Sequence, residues 1–188
     1  MLASSSPYRR ELLARLRLPF DTRAPGIDEA ALPGERAGAI ALRLAQDKAR
    51  TVGEEFPCAL VIGCDQVAEL DGTCLGKPGS HENAVAQLKA MRGRIVMFHT
   101  AVALLNSQTG TMHVADVPTT VHFRNYGDGE IDRYLAAERP YDCAGSAKIE
   151  GLGIVLVDRV SGDDPSALIG LPLMRLAAML RAEGVAIV

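Results

Sequence analysis

Residues 59–63 read Ala-Leu-Val-Ile-Gly, and the three residues that follow are Cys64, Asp65 and Gln66. A short run that is apolar at every position is typical of a strand buried on both faces of a sheet. We therefore expect a central strand here, with the carboxylate of Asp65 at its end. Open α/β sheets usually bind ligands at the ends of their strands, so this position favours a functional carboxylate.

The segments on both sides of this strand carry helical and extended patterns in turn. Alternating apolar residues predict further strands, and one pair of strands closes at Asp71-Gly72, a favoured tight turn. These strand segments cover residues 1–4, 20–23, 67–70, 73–75, 94–105, 113–124 and 154–160. Apolar residues at helical spacing predict helices over residues 7–16, 35–52, 80–91, 128–137 and 172–181.

The two longest predicted strands form a hairpin in the middle of the chain. This hairpin interrupts the alternation of strand and helix, so we expect an α/β fold with a mixed sheet and flanking helices rather than an all-parallel sheet. No internal repeat or linker divides the 188 residues, so we expect a single domain over residues 1–188.

Composition and charge argue against several classes of protein. Hydrophobic residues make up 48% of the chain and charged residues 23%, as in ordinary globular proteins. No apolar run approaches the roughly 20 residues of a membrane helix, and no signal-peptide pattern is present, so we expect a cytoplasmic protein without a membrane partner. The net charge of −3 argues against a nucleic-acid partner, which needs a dominant basic surface.

The cysteines and histidines show no metal-binding or redox spacing, and no CxxC pair is present. We therefore expect the cysteines to be small core or near-core residues. They are Cys58, Cys64, Cys74 and Cys143.

The first candidate site is the start of the first helix, where residues 4–10 read Ser-Ser-Ser-Pro-Tyr-Arg-Arg. Ser6 is expected to cap the helix, with Pro7 in its first position. Hydroxyl groups, free amides at a helix N-terminus and the guanidinium groups of Arg9 and Arg10 suit a phosphate group. A well-capped helix with two solvated arginines explains this segment equally well.

Two charged residues stand out from their surroundings. Lys48 projects from the apolar stripe of its helix, where it either meets an opposite charge or extends its ammonium group to the edge of the stripe. Asp65 is either a functional carboxylate or merely the partner of a basic neighbour. Lys77 follows it in Gly76-Lys77-Pro78, on the far side of the small hairpin.

A further candidate segment is Cys143-Ala-Gly-Ser-Ala-Lys-Ile-Glu-Gly151, which combines small residues with Lys148 and Glu150. If this segment is extended, the two charged side chains point to one face.

Together these segments supply the mixture of charges that phosphate-chain hydrolysis requires. Cations and a metal ion neutralise the phosphate oxygens, while a carboxylate orients or deprotonates the attacking water. Asp65 and Glu29 are carboxylates able to hold a divalent ion, and Mg²⁺ typically takes only one or two, with phosphates and water completing its shell. The cations are Arg9, Arg10, Lys48, Lys77 and Lys148.

In order and spacing, these segments resemble the Maf-like nucleotide pyrophosphatases over nearly the whole chain. The resemblance implies an elongated mixed α/β fold with a central cleft. It also implies metal-dependent cleavage of a nucleoside triphosphate to a monophosphate and pyrophosphate. The motifs are Leu2-Ala-Ser-Ser-Ser-Pro-Tyr-Arg-Arg10, Gly63-Cys-Asp-Gln66, Gly76-Lys-Pro78, Cys143-Ala-Gly-Ser146 and Gly170-Leu-Pro-Leu173.

Matched position by position, the resemblance implies that Asp65 is the proton-accepting catalytic carboxylate. Glu29 matches an acidic cleft residue, which we expect to share a divalent metal ion, Mg²⁺ or Mn²⁺, with Asp65. The expected partner is a small-molecule nucleotide, and a homodimer is left open. Phosphate-binding roles are implied for Ser5, Arg9, Arg10, Lys48 and Lys77.

Within the family, the chain is similar to the branch that hydrolyses 7-methyl-GTP, because Gln66 follows the aspartate and Lys148-Ile-Glu150 follows Cys-Ala-Gly-Ser. Methylation at N7 makes guanine cationic, so a stacked Tyr8 gains a cation–π energy of ~0.5–2 kcal/mol. Glu150 is expected to accept the N1 and N2 protons of the guanine edge. Two alternatives stay open: a pyrophosphatase for dTTP, UTP or other unusual triphosphates, and a non-enzymatic nucleotide-binding regulator of cell division.

Overall fold

A mixed six-stranded sheet forms the centre of the computed structural model, which describes residues 1–188. The strands are Leu2–Ala3 (β1), Leu60–Leu70 (β2), Thr73–Leu75 (β3), Ile95–Asn106 (β4), Met112–Phe123 (β5) and Val157–Gly162 (β6). The helices are Pro7–Ala14 (α1), Ala37–Glu55 (α2), His81–Met91 (α3), Asp128–Glu138 (α4) and Leu173–Ala182 (α5). The strand order is β1-β2-β4-β5-β6, and β3 pairs with β2. The expected α/β class with a mixed sheet and flanking helices is confirmed.

The central strand β2 has two different edges. Along one edge it pairs antiparallel with β4 over residues 60–69. Along the other edge, β1 pairs in parallel with Ile62 and Gly63, while β3 pairs antiparallel with residues 68–70. Residues 64–67 therefore have no strand partner on this edge, and the sheet is open beside Asp65.

Three buried apolar clusters hold the helices against the sheet. Helix α2 packs on one face of β2 and β4 through Ala41, Ala45 and Ala49. On the opposite face, α1 and α5 pack over one end of the sheet around Ile62. Helices α3 and α4 cover the other end of that face around Phe98. The open edge of β2 lies between these two ends.

Helix α2 approaches β2 closely because Gly63 has no side chain. A Cβ atom at this position would lie 2.0 Å from the carbonyl oxygen of Ala45 and 2.8 Å from the amide nitrogen of Ala49. Lys48 lies between those two residues of α2. The close approach therefore brings Lys48 to the sheet beside Asp65.

Three extended segments differ from their predictions. Residues 20–23 form no strand, because only an isolated bridge joins Thr22 to Leu2. β2 continues to Leu70, so Asp65 lies in the middle of a strand rather than at its end; pairing with β4 carries the strand through these polar residues. Residues 152–156 form a 3-10 helix, so β6 begins only at Val157.

The prediction for the cysteines is correct for Cys64, which is buried, but wrong for Cys58 and Cys74, which are exposed. Cys58 lies in the turn before β2 and Cys74 in the short outer strand β3. No helix of the protein is both long and apolar enough to cross a membrane.

Candidate active site

A cavity of about 550 Å³ lies beside the open edge of β2. Its walls come from the start of α1, from α2 and β2, and from the loops that precede α2 and α5. All of the predicted site residues except Arg10 and Lys148 line this cavity. Residues that are distant in sequence therefore meet in one place, where their individual roles remain predictions.

Lys48 is the centre of the charge network in this cavity. Its Nζ lies 2.6 Å from Oδ1 of Asp65 and 2.7 Å from Oε1 of Glu29. Lys48 is 4% exposed and Asp65 is 7% exposed, so both charges are buried and paired with each other, as burial of a charge requires. Lys48 therefore meets opposite charges rather than extending to the edge of its helix stripe.

Glu29 reaches this network from the loop that precedes α2, and about half of its side chain is exposed. Desolvation raises the pKa of its carboxyl group, but the hydrogen bond and charge of Lys48 outweigh that effect. The charges of Lys77 and Arg9 act in the same direction, so the pKa of Glu29 lies below its usual value. Glu29 is therefore ionised at neutral pH and available to a cation.

Arg9 closes the open edge of the sheet with its guanidinium group. Its Nη1 donates to the carbonyl oxygen of Cys64 at 2.7 Å, and its Nε donates to that of Gly170 at 3.0 Å. The carbonyl of Cys64 has no strand partner on this edge, so Arg9 replaces the missing strand. Both contacts are to neutral carbonyls, so the positive charge of Arg9 has no carboxylate partner at the wall of the cavity.

Lys77 and Ser5 complete this part of the wall. Lys77 is exposed after β3 and forms no ion pair, so its ammonium group is free for a ligand. Ser5 is exposed immediately before the helix cap, and Oγ of Ser6 accepts a hydrogen bond from the amide of Arg9 at 3.4 Å. The predicted cap at Ser6 and the proline at the first helical position are confirmed.

Arg10 lies outside this cavity, in a separate groove of about 750 Å³ between α1 and residues 18–22. The structure therefore does not bring Arg10 to the other predicted phosphate-binding residues. The groove beside Arg10 contains neither Lys48 nor Asp65, which both line the smaller cavity.

Lys148 and Glu150 diverge, because residues 148–151 form a turn rather than an extended segment. Nζ of Lys148 lies 2.8 Å from Oε1 of Glu138 and 5.3 Å from the centre of the Tyr8 ring. The extended conformation that would place Lys148 and Glu150 on one face is therefore not formed. Lys148 is an ion-paired neighbour of Tyr8 and not a free phosphate-binding cation.

Glu150 lines the cavity near Tyr8. Desolvation raises the pKa of its carboxyl group, against the lowering effects of a backbone hydrogen bond and the charge of Lys148. The acidic neighbours Glu138 and Asp142 raise this pKa further. Negative charge at this wall suits a cationic ligand.

Gln66 holds the loop before α5 against the sheet. Its Nε2 lies 2.9 Å from Oγ1 of Thr100, 3.1 Å from the carbonyl oxygen of Ala167 and 3.0 Å from that of Leu168. The hydroxyl group of Thr100 also donates to Ala167 at 3.0 Å. The amide nitrogen of Gln66 is therefore used within the protein, and only its Oε1 is left to contact a nucleotide.

The residues that shape this loop are not among the predicted site residues. Oδ1 of the buried Asp164 accepts hydrogen bonds from the amide and hydroxyl groups of Ser166, and its Oδ2 accepts one from the amide of Met174. A signal was present, because an aspartate two residues before a serine is a typical turn pattern. These bonds fix the loop that ends at Gly170, whose carbonyl Arg9 contacts.

Asp65 and Glu29 are the two residues of this network that could hold a metal ion. No group of three or more His, Cys, Asp or Glu side chains is arranged to do so anywhere in the chain. The oxygens of both carboxylates already converge on one cation, the ammonium group of Lys48. Such a pair fits Mg²⁺, which usually leaves most of its ligand positions to phosphate oxygens and water.

Comparison with known proteins agrees with the resemblance seen in the sequence. Residues 1–183 match the family described as Maf-like protein. A 7-methyl-GTP pyrophosphatase of Methylobacillus flagellatus is 59% identical over 188 residues, which cover 100% of this chain and 98% of the relative. Relatives of the same name from Cupriavidus metallidurans and Thiobacillus denitrificans are 58% and 59% identical, over 98% of this chain and 92% of each relative. This chain therefore belongs to the Maf-like protein family.

Proposed function

We propose that this protein is a nucleoside triphosphate pyrophosphatase that hydrolyses 7-methyl-GTP to 7-methyl-GMP and pyrophosphate, and so removes a modified nucleotide from the pool. The names of its relatives support this substrate. One observation carries the proposal. A single cavity holds both a buried carboxylate–lysine network with free cations around it and an aromatic ring beside a carboxylate.

The cations bind the triphosphate chain. Arg9 and Lys77 have no carboxylate partners and face the cavity, so their charges neutralise phosphate oxygens. Ser5 adds a hydroxyl group at the start of α1, where the helix dipole favours anions. Binding at these positions holds the phosphate chain beside Asp65 and prepares pyrophosphate to leave as a charge-neutralised group.

Asp65 acts on the attacking water. Its carboxylate accepts a proton from the water, whose oxygen forms the new bond to phosphorus while the anhydride bond between the α- and β-phosphates breaks. The products are the nucleoside monophosphate and pyrophosphate, and Asp65 returns its proton to solvent. Lys48 orients the buried carboxylate before the reaction, because its Nζ lies 2.6 Å from Oδ1 of Asp65.

Asp65 and Glu29 would hold the divalent ion, Mg²⁺ or Mn²⁺. The ion would neutralise charge on the phosphate chain and lower the pKa of a bound water. The ammonium group of Lys48 lies between the two carboxylates. A metal ion bound to these carboxylates would replace Lys48 as their cation, and the ammonium group would then contact a phosphate oxygen.

The base is recognised at the wall formed by Tyr8 and Glu150. The ring of Tyr8 already faces one cation, Lys148, at 5.3 Å, so its other face can stack on the cationic 7-methylguanine ring. Glu150 accepts hydrogen bonds from the N1–H and N2–H groups of the base. An uncharged guanine gains less from both contacts, which favours 7-methyl-GTP over GTP.

Pyrophosphate release from 7-methyl-GTP, GTP, dTTP, UTP and CTP, with Mg²⁺ or Mn²⁺, tests this function. Asp65→Asn keeps the shape of the side chain but cannot accept the proton, so we expect turnover to fall by about 10²- to 10⁴-fold while nucleotide still binds. Asp132→Asn, at an exposed position of α4, is the matched control.

Release mainly from dTTP and UTP would refute the 7-methyl-GTP specificity and keep the reaction class. Binding of nucleotides with no release from any of them would favour a nucleotide-binding regulator over an enzyme.

A further inference from the structure

The loop that carries Glu29 has no core of its own. Residues 24–36 contain no helix, no strand and no buried residue. Without apolar burial, the position of this loop depends on its polar contacts. The carboxylate of Glu29 must nevertheless meet Lys48 within 2.7 Å, so the contacts that fix the loop decide whether this network forms.

Arg43 of α2 supplies most of these contacts. Its Nε and Nη2 lie 2.8 Å and 2.7 Å from the two carboxylate oxygens of Glu35, in the paired geometry that only arginine offers. Its Nη2 also donates to the carbonyl oxygen of Ala30 at 3.0 Å. The same carboxylate accepts a hydrogen bond from the amide of Leu32 at 3.0 Å. Arg43 therefore contacts the loop at both ends of the segment 30–35.

The contacts of Arg43 with Glu35 and with the carbonyl of Ala30 form a clamp on the loop. This clamp is well formed even though it lies near the surface. The side chain of Arg43 is 24% exposed and that of Glu35 is 11% exposed. The hydrogen bond from Arg43, with that from Leu32, lowers the pKa of Glu35 to about 2. The clamp therefore stays ionised throughout the neutral range of pH.

We propose that Arg43 is a positioning residue that acts through Glu29. Arg43 does not line the cavity, so it touches neither the substrate nor the reacting atoms. It fixes Ala30, the next residue after Glu29, to the same helix that carries Lys48. The loop is thus held on α2 at two points, and Glu29 stays in the network before substrate or metal arrives. This inference rests on the proposed function.

Arg43→Met keeps the length of the side chain and removes the clamp. We expect kcat/KM for 7-methyl-GTP to fall by about 10- to 100-fold, since small displacements of catalytic groups have effects of this size. Glu35→Gln, which removes the other half of the clamp, should lower kcat/KM in the same direction. Arg50→Met is the matched control: Arg50 lies on the same helix and, like Arg43, pairs with Asp47, but it makes no contact with the loop.

A double-mutant cycle separates positioning from general damage. If Arg43 acts through Glu29, then Arg43→Met should lower kcat/KM little further in a Glu29→Gln background. Hydrogen exchange gives a second measurement that needs no substrate. The amide of Leu32 is expected to lose protection in Arg43→Met and keep it in Arg50→Met, with amides in β4 unchanged in both.

Two results would overturn the inference: an Arg43→Met enzyme within twofold of wild type, or independent, multiplicative losses from Arg43→Met and Glu29→Gln. Unchanged protection of the Leu32 amide would refute the clamp itself. A wild-type protein that releases pyrophosphate from no nucleotide would count against the proposed function alone, because the exchange experiment still tests the clamp.

Discussion

At the scale of single residues, Glu150 is the carboxylate that we propose distinguishes a cationic base from a neutral one. Glu150→Gln keeps the shape of the side chain, removes its charge and replaces one acceptor oxygen with an amide donor that opposes the guanine N–H groups. Hydrogen bonds to charged groups contribute about 1.5–3 kcal/mol, so the preference for 7-methyl-GTP over GTP should fall roughly 10- to 100-fold. The ratio of the two kcat/KM values measures this preference. Glu54→Gln, at an exposed position of α2, should leave the ratio unchanged; an unchanged ratio in Glu150→Gln would refute the role.

Lys48 supplies the positive charge that compensates the buried carboxylate of Asp65. Lys48→Met leaves the carboxylate of Asp65 buried without its cation, and removing one partner of a buried pair typically costs about 3–5 kcal/mol. We expect a loss of unfolding free energy near the lower end of that range, since Glu29 is half exposed. Urea denaturation measures it. Adding Asp65→Asn to Lys48→Met should restore part of the lost stability, because the uncompensated charge is then gone. A double variant no more stable than Lys48→Met would contradict this account.

At the scale of elements, the site depends on how closely α2 approaches β2. Gly63→Ala places a Cβ atom 2.0 Å from the carbonyl oxygen of Ala45, so α2 must move away and carry Lys48 from Asp65. Overpacking of this kind typically destabilises by about 1–3 kcal/mol, and we expect that loss together with reduced turnover. Gly129→Ala, at an exposed position of α4, is the contrasting control: its nearest neighbour is the end of Arg133 at 3.4 Å, and alanine should stabilise a helix by up to about 1 kcal/mol. Equal effects of the two substitutions would refute the close-packing argument.

The elements that could be predicted from the sequence are those with a strong local pattern. The hairpin of β4 and β5, the tight turn at Asp71-Gly72 and helix α3 all lie where the pattern indicated, although Ser80 caps α3 rather than beginning it. The full length of β2 could not be predicted, because Asp65 and Gln66 interrupt its apolar run. Only pairing with β4 over residues 60–69, a contact between distant parts of the chain, extends the strand through them.

The residues of the candidate site also divide into those that a sequence pattern could predict and those that depend on the fold. Lys48 and Asp65 could be selected because each is a charge within an apolar pattern, which calls for a partner in the fold. The divergence of Lys148 and Glu150 could not be predicted, because it depends on a local turn and on Glu138 of α4. The clamp on the loop of Glu29 could not be predicted either, because no sequence pattern indicates a salt bridge between Arg43 and Glu35.

At the scale of the whole molecule, the polar contacts of charged groups connect segments that are far apart in the chain. Oε2 of Glu183, just after α5, accepts a hydrogen bond from Nδ2 of Asn106 at 2.7 Å, and its Oε1 lies 2.7 Å from Nε2 of His113. These contacts fasten the last helix to the end of the β4–β5 hairpin. At the other end, the N-terminal ammonium group donates to the carbonyl of Leu60 at 2.8 Å. Both termini are thus held on the central sheet.

The tie at Glu183 predicts how the stability of the whole molecule depends on pH. The hydrogen bond from Asn106 and the contact with His113 lower the pKa of Glu183 below its ordinary value of 4.5. A carboxyl group whose pKa is lowered in the folded state binds protons more readily in the unfolded state. Its contribution to the unfolding free energy is therefore fully present above pH 4.5 and is lost as pH falls through the folded value.

Glu183→Gln retains an acceptor for Asn106 but does not titrate. In urea denaturation between pH 7 and pH 3 we therefore expect the variant to lose less unfolding free energy than wild type, while Glu54→Gln follows wild type. Parallel pH dependence in wild type and Glu183→Gln would show that this carboxylate does not contribute to acid sensitivity.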